Sequence, residues 1–216
     1  MQIRHHLTDG LLMAYAAGTL PEAFDLAVAT HVSLCDDCRA RLASYDALGG
    51  AVVEHQAPVD MANDSFEATM ARIISGTPDA APAPVPAAPG GIFPSPLRDF
   101  VGGDLDAVQW RRVGGGVSQA ILTDRDGATA RLLRIPGGVS VPDHGHKGIE
   151  LTLVLQGAFR DEADRFGPGD IEVATEELEH QPVAEPGPDC ICLAATDARL
   201  RFNAILPKLA QPFLRI

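Results

Sequence analysis

Residues 76–96 read GTPDAAPAPVPAAPGGIFPSP, and the change of pattern across them decides the fold. Its seven prolines remove backbone donors and fix φ, so neither a continuous helix nor an inner strand can run through it. Proline and alanine together favour an extended, semi-rigid spacer over a floppy tether. We read residues 77–96 as a linker between two domains, 1–76 and 97–216.

Upstream of the linker the apolar residues recur at helical spacing. Thr8 can cap a first helix in which Leu11, Leu12 and Tyr15 form a stripe and Gly18 supplies the stop. Thr19 and Glu22 stand in capping-box spacing with Pro21 between them, predicting a second helix. Along it Phe24, Val28, His31 and Cys35 fall on one face. A third helix is expected from Cys38 through Leu48, stopping at Gly49-Gly50, and a fourth after Asp64 with Phe66, Met70, Ile73 and Ile74 as its apolar face.

Downstream the period changes to two. SQAILT, TARLLRI, ELTLVLQG, CICLAAT and RLRFNAIL are short β-prone runs punctuated by glycine and proline, and Asp126-Gly127 marks a hairpin turn. Many short strands in about 120 residues predict an antiparallel sandwich or small barrel. The expected fold is therefore a mainly all-α bundle followed by an all-β domain.

Composition narrows the function. The chain of 216 residues carries a net charge of −12, which disfavours direct nucleic-acid binding, because a phosphate-binding face needs basic residues. Residues 1–78 alone hold four Arg and no Lys against ten Asp and Glu, so a basic protein partner fits better. The N-terminal MQIRHHLTDG lacks the apolar core of a signal peptide, and nowhere do about twenty apolar residues run together. A cytoplasmic location with no membrane association is expected. The four cysteines form two close pairs, Cys35/Cys38 and Cys190/Cys192, which in a reducing compartment suit metal ligation or burial better than structural disulfides.

Two sets of residues carry metal chemistry. In HVSLCDDC, His31, Cys35 and Cys38 offer three of the nitrogen and sulfur donors that tetrahedral zinc prefers. The other histidines before the linker are His5, His6 and His55; we take His6 as the fourth ligand, being adjacent to the first helix, with His5 the alternative. A redox C-x-x-C pair and plain buried thiols are the competing readings. A bundle of some 75 residues has a thin core, and zinc adds folding free energy to it. In GVSVPDHGHKGIELTLVLQG, residues 138–157, His144 and His146 share one face of a strand and Glu150 opens the next. GPGD at 167–170 marks a turn, and His180 follows ten residues later as a fourth candidate. Three imidazoles and a carboxylate suit Zn, Mn, Fe or Ni. Cys190 and Cys192 share a strand face and are expected to pack as small apolar residues.

These residues carry a resemblance. HVSLCDDC with an upstream histidine resembles the zinc-binding anti-sigma domain of bacterial regulators, a helical bundle that clamps an extracytoplasmic-function sigma factor. That resemblance implies zinc held by His6, His31, Cys35 and Cys38. Redox-sensing members carry a further upstream cysteine, whereas no cysteine precedes Cys35. The spacing of Gly138, His144, His146, Glu150 and Gly157 is similar to the first cupin motif; no asparagine follows three residues after His180, where the second motif has one. The two together resemble the ChrR group of anti-sigma factors. The group implies a regulator rather than an enzyme, its zinc bundle sequestering the sigma factor and its metal-bound cupin, with zinc expected there too, needed for release under singlet-oxygen or related stress. On that reading Leu11, Leu12, Tyr15, Phe24, Phe66, Met70 and Ile73 line the sigma-binding groove. The alternative is a metal-dependent cupin enzyme of dioxygenase or isomerase type with an accessory helical zinc domain.

Overall fold

A computed structural model describes residues 2–76, 91–145, 147–198 and 201–202. Residues 77–90, His146 and all but two residues of RLRFNAIL therefore lie outside the described part. Five helices come first: α1 (Asp9–Ala16), α2 (Glu22–Leu34), α3 (Asp36–Glu54), α4 (Ser65–Ser75) and α5 (Ser95–Val101). Twelve strands follow: β1 (Arg111–Gly114), β2 (Val117–Arg125), β3 (Ala128–Ile135), β4 (His144–Gly145), β5 (Glu150–Gln156), β6 (Phe159–Arg160), β7 (Arg165–Phe166), β8 (Ile171–Ala174), β9 (Glu179–His180), β10 (Val183–Ala184), β11 (Cys190–Thr196) and β12 (Arg201–Phe202).

The main sheet has the order β1-β2-β3-β11-β5-β8, and two three-stranded sheets, β10-β6-β7 and β12-β4-β9, complete the β half. All pairs are antiparallel. The β2–β3 hairpin turns at Asp126 and Gly127, whose φ of 54° and 77° give the two positive values a tight hairpin requires.

Strand alternation assigns the two faces of the main sheet. Leu151, Leu153, Ile191, Leu193, Ala130 and Leu132 join one core with Leu7, Leu12, Phe24, Val28 and Leu97 of the helical half. Val154, Ile135, Cys190 and Cys192 face the other way, into a cluster with Phe159 and Phe166. Helix α2 lies on the first face, against β2, β3, β5 and β11, and also contacts α1, α3 and α5. Glu22 at its start accepts a hydrogen bond from Thr123 Oγ1 at 2.6 Å. Burial on both faces explains why CICLAAT and ELTLVLQ are almost unbroken apolar runs.

Several expectations are corrected here. The linker reading extended to residue 96, but Phe93 is buried, its N–H bonded to Asp104 Oδ2 at 3.0 Å, and Ser95 and Pro96 open α5. Pro96 at the first turn suits a helix, because the donor it lacks would be unpaired there anyway. No Thr19 capping box forms: α2 is capped by Pro21 without a side-chain bond, and Thr19 Oγ1 donates to Ala14 O. Helix α3 passes through Gly49-Gly50 and ends at Glu54, six residues beyond Leu48. Leu11, Leu12 and Phe24 belong to the core, not to an open groove. Among the described residues no helix is long and apolar enough to cross a membrane.

Candidate metal centres

The first centre forms where three chain segments meet. Cys35 sits in extended conformation between α2 and α3, ending one and capping the other, and its Sγ accepts from the Cys38 N–H at 3.5 Å. The C-x-x-C pair thus lies at a helix N-terminus, whose dipole favours thiolate. His31 reaches in from the last turn of α2, and His6 from the extended segment before α1. Arg41 of α3 anchors that segment, donating from Nη1 to Leu7 O at 3.0 Å and from Nε to Asp9 Oδ1 at 3.1 Å.

His6 Nδ1 stands 3.2 Å from Cys35 Sγ and 3.8 Å from Cys38 Sγ, and His31 Nε2 stands 3.3 Å from Cys38 Sγ. All four donors lie within 4.8 Å of one another. With zinc–ligand distances of roughly 2.3 Å to sulfur and 2.05 Å to nitrogen, a tetrahedron has N···S edges of about 3.6 Å. The donor set fits such an ion in type, number and spacing. His5 points elsewhere, its ring against Phe166 and its Nε2 3.2 Å from Asp164 Oδ2.

Burial keeps His31 and Cys38 neutral without metal. It lowers the pKa of His31 to about 4 and raises that of the Cys38 thiol to about 11. A cation must therefore displace thiol protons on binding. His31 Nδ1 meets the carbonyl of Gly169 at 3.0 Å; a carbonyl only accepts, so Nδ1 carries the hydrogen and Nε2 keeps its lone pair toward Cys38.

The second centre lies inside the β half. His144 of β4 pairs with His180 of β9, and their rings lie 4.8 Å apart. His144 Nδ1 donates to Pro142 O at 2.8 Å and His180 Nδ1 to Asp161 Oδ2 at 2.9 Å. Glu150 begins β5, its Oε1 accepting from Thr152 Oγ1 at 3.1 Å. Two further acids belong to this interior that the sequence pattern did not single out. Asp161 and Glu172 converge on His180, and the three offer donors within 4.8 Å of one another. Burial raises the Glu172 pKa to about 7. Burial opposes charge on His180 too, but Glu172 and Asp161 outweigh it and hold its pKa at about 9. The only cue in sequence was an acid between Ile171 and Val173 at an inward strand position.

Cys190 and Cys192 are buried with sulfurs 3.5 Å apart, and the neighbouring thiol together with burial pushes Cys192 well up. His55 is exposed at the end of α3, and Glu176, Glu177 and Glu179 face solvent.

Residues 99–199 match the model of the ChrR Cupin-like domain family. Anti-sigma-E factor ChrR of Cereibacter sphaeroides is 62% identical over 218 residues, covering 100% of both chains. The chain belongs to the ChrR family of anti-sigma factors. A solved structure, Rhodobacter sphaeroides SigE in complex with the anti-sigma ChrR, is 59% identical to it with a TM-score of 0.79, covering 91% of this chain and 100% of that one. The ChrR likeness thus includes both the helical and the cupin halves, as the reading of helices followed by cupin anticipated.

Proposed function

We propose that this chain binds and sequesters a sigma factor of the extracytoplasmic-function class. The observation that carries the reading is a set of apolar side chains that no element among the described residues covers. Helix α4 has no buried residue, and Phe66, Ile73 and Ile74 are exposed, with Met70 at its margin. Leu48, Val52 and Val53 of α3 and Val59 and Met61 between the helices are exposed as well. Isolated soluble proteins rarely show contiguous apolar area beyond a few hundred Å², and a stable complex buries about 1,200–2,000 Å². The relative of known partner is a ChrR solved with SigE, and the acidity of residues 1–78 suits basic, polymerase- or DNA-facing surfaces of such a factor.

Zinc at His6, His31, Cys35 and Cys38 sets the junction of α2 and α3 and pins the N-terminal segment to it. In the cupin half His144, His146, Glu150 and His180 hold a second ion, zinc or one of Mn, Fe and Ni, and that half governs release under singlet-oxygen or related oxidative stress. The named relative is a regulator, not an enzyme.

Co-expression with the extracytoplasmic-function sigma factors of the same cell tests the reading. One of them should co-purify with the wild-type chain, and Phe66→Asp with Ile73→Asp should abolish capture, since buried anchors of an interface are each worth at least about 2 kcal/mol. Capture unaffected by the double substitution contradicts the assigned surface. His144→Ala should keep capture and lose stress induction; induction at the wild-type level excludes the cupin ion as the sensor.

A further inference from the structure

We propose that the cupin turn at 167–170 is a working part of the helical half's metal centre: Gly169 and Asp170 position both histidine ligands, so cation affinity there depends on the cupin. This rests on the reading that His6, His31, Cys35 and Cys38 hold a metal ion.

Two independent contacts carry it. The carbonyl of Gly169 accepts from His31 Nδ1 at 3.0 Å, 138 residues away in sequence, and fixes both ring orientation and tautomer. Asp170, only 3% exposed, accepts at Oδ1 from the backbone N–H of Arg4 at 2.7 Å and of His5 at 3.0 Å. These are the two residues that lead into His6. The Ile171 N–H donates to His5 O at 3.4 Å, so the segment is tied to the start of β8. Ligating histidines owe much of their affinity to the group that holds the second ring nitrogen.

The turn is also fastened to the cupin interior. Asp170 Oδ2 accepts from the Gly167 N–H at 2.8 Å, and Val154 of β5 bonds with Gly169 and Asp170 through its O and N–H at 2.8 Å and 3.0 Å. Glu172, two residues beyond Asp170 on β8, approaches His180 at 3.2 Å. One rigid backbone stretch therefore touches the ligands of the helical centre at one end and the histidine–carboxylate cluster at the other. A displacement of β8 moves Gly169 and Asp170 with it. By linkage, whatever the cupin does to cation affinity, the cation does to the turn in equal measure.

Cobalt(II) is the probe, because only the Cys35/Cys38 set of the two proposed centres gives thiolate-to-cobalt charge transfer. In the full-length chain Asp170→Ala should weaken the cobalt affinity read from that band by about 10–100-fold. Asp164→Ala, which removes an exposed acid bonded to His5 Nε2 and the Arg165 N–H, should leave it within about twofold. A folded Asp170→Ala chain with unchanged affinity overturns the proposal. A second measurement needs no variant. Removing zinc from the wild-type chain should accelerate hydrogen exchange at the Arg4, His5 and Ile171 amides by about tenfold or more, and unaltered exchange overturns the proposal equally. A wild-type chain with no charge-transfer band and no bound zinc removes the metal reading itself, a result distinct from either of those.

Discussion

Asp161 shows how a single carboxylate can govern an ion it does not have to touch. Its Oδ2 holds His180 Nδ1 at 2.9 Å, and its own shape is set by the backbone N–H groups of Ala163 and Asp164 at 2.9 and 3.1 Å. Asp161→Ala removes the acceptor that orients the imidazole and leaves Glu172 beside the same ring nitrogen. The second equivalent of metal per chain should then bind about 10–100-fold more weakly, measured by competition against a chromogenic chelator, with the first equivalent unchanged. Equal loss of both equivalents, or of neither, contradicts the placement of Asp161 in the cupin centre. This residue was not legible in the sequence, because its separation of 19 residues from His180 follows no motif and arises from strand pairing alone. The meeting of His144 and His180 lay closer to the sequence, because glycine-bounded turns mark the segments that carry them. The choice of His6 over His5 came within reach for a simpler reason: neighbouring residues of an extended segment face opposite ways, so only one of the pair can meet Cys35.

At the scale of elements periodicity served well and capping signals unevenly: Thr8 caps α1 as expected, whereas Thr19 and Gly49-Gly50 misled. Gly49-Gly50 reads as a helix stop, yet α3 continues because both residues keep helical hydrogen bonding in a segment with nothing packed above it; an added Cβ meets no atom within 4 Å at either position. Gly50→Ala should therefore stabilise the chain by about 0.5–1 kcal/mol, seen as a raised midpoint in urea denaturation with an unchanged slope. A destabilising outcome would mean that the helix stops where the pattern suggested. The apolar stripes of α1 and α2 were visible in the sequence, but what they face was not. Leu11, Leu12 and Phe24 look like a partner's groove until the sheet is in place, because a helix pattern states only that one side is apolar. The strands gave the complementary hint: runs as apolar as CICLAAT need cover on both faces, and α2 is that cover. Gly157, by contrast, was read correctly as a motif glycine; its φ of 69° and the 2.8 Å that would separate a Cβ from Asp189 O leave room for nothing larger.

Across the whole molecule, the helices and the main sheet share one apolar core, although the proline-rich stretch between them suggested two independent units. Prolines report on local backbone freedom, not on whether the flanking segments later meet. Among the described residues, α4 and the C-terminal part of α3 bury no side chain in that core. The helices are thus backed by the sheet, with His6, His31, Cys35 and Cys38 gathered at one corner and apolar side chains of α3 and α4 exposed, a form that suits the proposed sequestering role. Calorimetric titration of the zinc-loaded, full-length chain with the extracytoplasmic-function sigma factor of its own cell tests this most directly. A one-to-one complex with a dissociation constant below about 100 nM, or roughly 9.5 kcal/mol of binding free energy, is expected. Absence of binding by a folded chain carrying its zinc would contradict it.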